Sequence, residues 1–403
     1  MAIVDNLFMV FLLMLLVGIV SGRIAKALHL PDVVLYLLCG ILLGQSGLGW
    51  IVLPPESTAY ELTITFGTAF ILFYGGLSLD VRNLRETGLS IALLATVGVL
   101  LTAGMIGEAF ALVGLGPIIV GLLLGAVISP TDPSTLIPVL EQVKVPARLR
   151  TLIEAEAGFN DPSGAVLCFL VLHSIQASSA PLELGKFLGL QVAASIVLGL
   201  VVGLLTALLM NKRWERLLGE FTPLTIIIAV LAGFYFADKI SGSGYLAVFV
   251  AGIVVGNMRH FRLSMRHKYL VQTDMLSRYI FQVVKMFIFI LLGSQIDVSG
   301  LVQDFWGAAI IALVLVFAVR PLVVLACLKI PRKPHWSWRE TAFVAWTRET
   351  AVMAAALAGL LLAEHVEYAS FILHTTFIVI LFTLLAQATT AGPLARKLKL
   401  TGS

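Results

Sequence analysis

Charge is scarce in this 403-residue chain: Asp, Glu, Lys and Arg make up 12% of it, against 59% hydrophobic residues. Soluble domains carry about 25% charged residues, so the deficit excludes an ordinary globular enzyme and points to a polytopic membrane protein. Cysteine is nearly missing. Cys39, Cys168 and Cys327 lie far apart in apolar runs, which excludes a disulfide framework and a thiolate metal site. No basic patch with interleaved aromatics exists, so the net charge of +4 does not indicate nucleic acid. Long polar connections are also lacking, which leaves no room for a soluble domain; the longest, around His260 to Asp274, is basic. The first apolar run has neither a basic n-region nor a small-residue cleavage site, and reads as a span rather than a signal peptide.

What remains is hydrocarbon in blocks. Windows of about 20 apolar residues mark spans. They predict thirteen, roughly 6–28, 31–48, 60–80, 87–113, 115–140, 150–176, 186–210, 221–238, 243–258, 276–296, 303–329, 339–363 and 368–392. Numbering the connections alternately puts nearly every loop cation on one side, from Arg23 and Lys26 through Arg148, Arg150 and Arg278 to Arg396 and Lys399. The other side holds only Lys186 and Lys239. By the positive-inside rule the first side is cytoplasmic. The expected arrangement is a multi-pass protein of the inner cell membrane, N-terminus outside and C-terminus inside. Lys285, Arg320 and Arg348 are left within the membrane.

The chain repeats itself. Residues 70–81 match 287–298, and Gly40-Ile41-Leu42-Leu43-Gly44-Gln45 matches Gly252-Ile253-Val254-Val255-Gly256-Asn257. Both matches equate spans seven apart, an odd shift, so the copies have opposite orientation. The reading is two inverted repeats, about 1–178 and 220–392, joined by a linking helix at 186–210, all within one transmembrane domain. Inverted repeats are a transporter architecture with the site at their interface. The offset maps Thr131-Asp132 onto Thr347-Arg348. Pro130, Pro133 and Pro138 interrupt the earlier span, because proline removes a backbone donor and clashes with the preceding turn. Broken backbone at membrane depth survives only where it lines a protein cavity. Two crossed discontinuous helices are therefore expected, their half-helix dipoles partly balanced by Asp132 and Arg348.

The polar residues gather at these breaks. Leu152 to Leu167 reads LIEAEAGFNDPSGAVL and carries Glu154, Glu156, Asn160 and Asp161 within two turns. Ionisable groups inside a membrane are costly and mark function by default. At 1.5 Å per residue Asp161 comes out roughly 16 Å deep, and Asp132, Arg320 and Arg348 roughly 12–14 Å, in a core about 30 Å thick. Arg320 is expected to pair with Glu156, and Arg348 with Glu349 or Asp132. That leaves Asp161 without a counter-ion, able to hold a proton or to trade it for a small cation. Asn160 adds a neutral dipole, and Thr131 offers oxygen lone pairs. The bland alternatives are an N-cap role for Asp161 where the helix breaks at Pro162, and an interfacial place for Glu154. Lys285 either snorkels to the cytoplasm or acts beside Asp161. His173 and His374 receive no role.

Thr131-Asp132-Pro133, Glu154-Ala155-Glu156 followed by Phe159-Asn160-Asp161-Pro162, Arg320-Pro321 and Arg348-Glu349-Thr350 together resemble the monovalent cation/proton antiporters, in the NhaP-like branch of sodium/proton exchangers. The resemblance covers essentially the whole chain. It implies an all-α fold of about thirteen helices, with inverted six-helix repeats and two crossed discontinuous helices, in a homodimer working by an elevator-like motion. It makes Asp161 the transport carboxylate, with Asn160 beside it, Thr131 and Asp132 at the crossing, and Glu156 paired with Arg320. An Asn-Asp pair marks the electroneutral branch, one Na+ or Li+ per proton, with no cofactor. The family often has Ser after the second Glu as an ion ligand. Here Ala157 stands in that place, so a potassium/proton antiporter remains an alternative. A remote one is an intramembrane aspartyl protease using Asp132 and Asp161, although neither has the sequence context of that dyad.

Overall fold

The computed structural model describes residues 2–28, 30–79, 81, 87–132, 136–177, 181–213, 218–331, 334–350 and 352–400. Pro133 and Ser134 of the first polar knot, Asp80 of the repeat, and the loop cations Arg82, Arg85, Arg216, Arg332 and Lys333 lie outside the described residues. Every regular element among the described residues is helical. In chain order they are α1 (Ala2–Leu28), α2 (Asp32–Leu43), α3 (Thr58–Ser78), α4 (Gly88–Ala95), α5 (Val97–Leu112), α6 (Ile118–Ile128), α7 (Leu136–Gln142), α8 (Ala147–Ala177) and α9 (Pro181–Leu209). There follow α10 (Thr225–Lys239), α11 (Gly244–Gly256), α12 (His267–Ser294), α13 (Val298–Val314), α14 (Arg320–Lys329), α15 (Trp338–Trp346), α16 (Val352–Ala363), α17 (Ala369–Phe382) and α18 (Thr389–Lys397). A π-helical turn, Leu315–Val319, joins α13 to α14, and another, Thr383–Ala388, joins α17 to α18.

Eight helical segments are long and apolar enough to cross a bilayer among the described residues, and α2, α6, α11 and α16 are apolar but shorter. Length alone therefore does not reproduce thirteen crossings. For α6 and α16 the reason is the expected one: each is half of an interrupted element, stopping at residues 129–132 or starting after 347–350. The opposite happens in α8, which runs unbroken through Pro162. One proline deletes a single N–H, and the flanking turns of a 31-residue helix carry the element past it. An N-cap role for Asp161 is thereby overturned, since the residue sits in the helix interior.

The chain forms two compact units. The first comprises residues 1–64, 84–171 and 285–403. In it α2 lies against the last turns of α12 at backbone contact. A Cβ on Gly40 would stand 2.9 Å from the Gly293 Cα, and one on Gly293 3.0 Å from the Gly40 Cα. At the start of α2 the Asp32 carboxylate receives both its oxygens' bonds from Lys285 Nζ, each 2.9 Å. Lys285 is therefore an ion-pair partner of Asp32 and not a charge beside Asp161, and Arg278, grouped above with the loop cations, lies inside α12, which begins at His267.

The second unit comprises 65–83 and 172–284. Here α9 packs on α10 and α11. α3 meets α11 with the same backbone proximity: a Cβ on Gly76 would stand 2.9 Å from the Ile253 nitrogen, and one on Gly252 3.0 Å from the Phe73 carbonyl carbon. Small residues at such crossings let helices gain van der Waals contact that lipid does not supply. Ser243 opens α11 by accepting the Leu246 N–H, and its own N–H is held by Ser195 Oγ at 2.6 Å.

Overpacking a close-packed crossing costs about 1–3 kcal/mol or more. Gly293→Leu should lower the melting temperature of the detergent-solubilised protein by several degrees. Gly88→Ala, where a Cβ meets nothing within 4 Å, should leave it unchanged. Equal melting curves for Gly293→Leu and wild type would refute the tight α2–α12 seam.

Candidate ion-binding site

The last carbonyls of a helix have no intrahelical donors, and inside a membrane none is available from water. α6 ends at Ile128 with this problem. Its solution is Arg348, fully buried, whose Nη2 donates to the carbonyls of Ile128 (2.6 Å) and Ser129 (3.0 Å), while Nη1 reaches Thr350 Oγ1 (3.1 Å). A cation there also opposes the helix dipole. The expected pairing of Arg348 with Glu349 or Asp132 is not what forms: among the described residues no ion pair joins it to a carboxylate, and its donors go to two backbone carbonyls and the Thr350 hydroxyl. The carbonyls win because those of Ile128 and Ser129 converge where the helix stops. A direct bond between the two breaks accompanies this grip, the Asp132 N–H donating to the Glu349 carbonyl at 2.8 Å.

The unwound segment is also tied to α8. Asn160 Nδ2 donates to Thr131 Oγ1 (2.8 Å), and Asn160 Oδ1 accepts the Thr131 N–H (3.2 Å). This reciprocal pair fixes residue 131 against the helix that carries Asp161. Pro130 closes against the same helix where Gly164 leaves room, a Cβ there standing 2.7 Å from the proline ring.

One turn toward the N-terminus, Glu156 lies on the Asn160 face at i, i+4. Arg320 holds it by two parallel bonds, Nη1 to Oε1 and Nη2 to Oε2 (3.0 Å), and Nη2 also reaches the Val344 carbonyl (3.1 Å). Both side chains are buried. Glu154 is half-exposed and pairs with Arg150, which also holds Glu141 at 2.8 Å, in keeping with an interfacial place. Asp161 differs from both glutamates. It keeps partial exposure, its Oδ1 is buried with no hydrogen-bond partner, and no basic side chain pairs with it among the described residues. The charge that acts on it is the Asp132 carboxylate.

The structure thus gathers Thr131, Asp132, Asn160, Asp161, Arg348 and Glu349 at one crossing and sets Glu156 with Arg320 beside it. Two carboxylates within electrostatic reach, hydroxyl and carbonyl oxygens, and one acid without a cationic partner among the described residues are the chemistry suited to holding a proton or a hard monovalent cation. No group of three or more His, Cys, Asp or Glu side chains able to hold a metal ion occurs among the described residues. Sequence reasoning missed Asp32, Thr383 and Gln387. For Asp32 the available signal was an acidic residue directly after a proline at a span start. For the other two it was a polar pair, four apart, in an otherwise apolar run.

Removing one partner of a buried ion pair typically costs about 3–5 kcal/mol. Arg320→Ala should accordingly lower the melting temperature strongly while leaving the preference among cations in the surviving protein unaltered. A variant of wild-type melting temperature with changed ion preference would show Arg320 to be a selectivity residue instead.

Residues 11–397 match the transmembrane sodium/hydrogen exchanger family. The chain is 28% identical over 414 residues to the probable Na(+)/H(+) antiporter 2 of Methanocaldococcus jannaschii, covering 94% of each. It is 30% identical over 392 residues to the K(+)/H(+) antiporter NhaP of Alkalimonas amylolytica, covering 96% of this chain and 65% of that one. Its fold is similar to that of the sodium proton antiporter MjNhaP1 from Methanocaldococcus jannaschii at pH 8, with a TM-score of 0.85, 26% identity and 99% of both chains covered. The crossing of two interrupted helices at a buried carboxylate and the match along nearly the whole length agree, and the chain belongs to the sodium/hydrogen exchanger family.

Proposed function

We propose that this protein is an electroneutral sodium/proton antiporter in which Asp161 binds either one proton or one Na+ (or Li+) and carries it across by alternating access. One observation carries this reading. Of the acids on α8, Glu154 and Glu156 are each held by an arginine, whereas no basic residue holds Asp161 among the described residues. A carboxylate that lacks a fixed counter-ion in a low-dielectric setting needs an exchangeable one. Asp132 nearby adds negative potential, and Asn160 and Thr131 hold the unwound backbone at a set distance from it. Pro162 contributes through what it lacks: with no N–H, it frees the Gly158 carbonyl of its regular donor four residues on. That carbonyl is our candidate for the oxygen lost where Ala157 stands.

Alternating access by inverted repeats is part of the same proposal. The offset equates Gly40 with Gly252 and Gly76 with Gly293, so the Gly40–Gly293 contact of one unit and the Gly252–Gly76 contact of the other are counterparts. This supports repeats of opposite orientation. The loop cations favour a cytoplasmic C-terminus in the inner membrane, and family resemblance favours a homodimer. A second reading, potassium/proton exchange, is favoured by Ala157 and by the relative named as a K(+)/H(+) antiporter.

Exchange in proteoliposomes tests both readings. Asp161→Asn should abolish proton-driven Na+ uptake while the protein still folds and melts cooperatively, and uptake at the wild-type rate would remove Asp161 from the centre. The pH dependence has a definite sign. Protonation removes the charge the cation needs, so the half-saturating Na+ concentration should rise as pH falls, by up to about tenfold per unit on the acid side. A value independent of pH would mean that proton and cation use separate sites. Running the assay with Na+, Li+ and K+ in turn, with and without an imposed voltage, decides between the ion readings.

A further inference from the structure

The second break, at residues 347–350, leaves two ends to satisfy, and a single turn of a neighbouring helix meets both. Gln387 is fully buried and donates from Nε2 to the carbonyl of Trp346, the last residue of α15, at 2.7 Å. Thr383, also fully buried, accepts the Thr350 N–H on Oγ1 at 3.2 Å, just ahead of α16. These two side chains belong to the π-helical turn Thr383–Ala388. Such turns are rare and cluster at functional sites. The orientation of the Gln387 amide is fixed by its partner, because the flipped amide would set oxygen against oxygen. In the observed orientation Oε1 is buried without a partner among the described residues. An apolar side chain of the same volume would fill this place without an unanswered acceptor, so packing alone does not account for glutamine here.

From this turn a series of hydrogen bonds leads to Asn160, the chain neighbour of the carboxylate. Gln387 and Thr383 hold residues 346 and 350. Between them, the Glu349 carbonyl takes the Asp132 N–H, and Arg348 grips the end of α6. Next to Asp132, Thr131 is locked to Asn160, whose neighbour is Asp161.

We propose that Gln387 and Thr383 are positioning residues for cation binding: the π-helical turn clamps both ends of the second break and so sets the register of the crossing against Asp161. This rests on Asp161 being the exchange site.

The test compares Thr383→Val and Thr383→Ser, and Gln387→Leu, in proteoliposomes. The readouts are the half-saturating Na+ concentration at two pH values and the melting temperature. Loss of either bond should raise half-saturation roughly two- to tenfold, the worth of one hydrogen bond, and displace its pH profile. Thr383→Ser, which keeps the hydroxyl, should restore the wild-type value. Wild-type half-saturation and pH profile in folded Thr383→Val and Gln387→Leu, with only a lower melting temperature, would overturn the proposal. Should Gln387→Leu fail to fold, the Val/Ser pair at 383 decides alone. Wild-type protein that exchanges no cation for protons, or Asp161→Asn that does so normally, would instead sink the function reading beneath it.

Discussion

The structure turns on one constraint: a helix that stops inside a membrane must find donors for its last carbonyls and acceptors for the next N–H groups, without water. Arg348 meets this demand for α6, and the arrangement of the site follows. Its guanidinium reaches the α6 terminus only if residues 347–350 lie across residues 129–132, and that placement brings the Asp132 N–H onto the Glu349 carbonyl. The unwound segments thus satisfy one another. Thr131 then meets Asn160, and α8 is fixed with Asp161 alongside. The proposed binding site and the structural repair draw on the same residues, so on this reading the polar side chains at the crossing serve both purposes.

The two breaks are solved differently although the sequence offset relates them. At the first, Arg348 caps the end together with the Ser129 hydroxyl, which donates to the Ala126 carbonyl at 2.9 Å. At the second, the work is divided: Arg320 reaches the Val344 carbonyl while holding Glu156, and the neutral side chains of Thr383 and Gln387 take the remaining ends. Arg320 therefore joins the acid of α8 to the end of α15. Each arginine that the sequence places in the membrane serves a helix terminus as well as any charge.

Much of this was legible beforehand, and the reasons for the rest are physical. Pro130 announced the first break, and the sequence offset pointed from it to Thr347-Arg348, where no proline stands; Pro138, expected to interrupt the same span, sits inside α7, and Pro133 lies outside the described residues. Glu156 with Arg320 followed from the rule that buried charges pair. Arg348 was matched to the wrong acceptors because orphan carbonyls have no letter in a sequence: they exist only where the helix stops. Lys285 with Asp32 was hidden by helix length. Arg278 reads as a loop cation in the sequence, whereas α12 is already helical from His267. Pro162 misled in the other direction, since a long helix absorbs a single missing bond. The π-helical turn left no trace, because nothing in Thr-Leu-Leu-Ala-Gln-Ala distinguishes a wide turn from a regular one.

The Glu156–Arg320 pair has a consequence for energy supply. Its two charges cancel in place. If Asp161 travels only with a proton or with one monovalent cation aboard, the moving charge is the same on both legs of the cycle, whatever fixed charge Asp132, Arg348 and Glu349 add. A membrane potential does about 2.3 kcal/mol of work per 100 mV on each elementary charge that moves through it, and over such a cycle it does no net work. Concentration gradients alone would then drive the machine, and it would run equally well in an energised cell and in one whose voltage had collapsed.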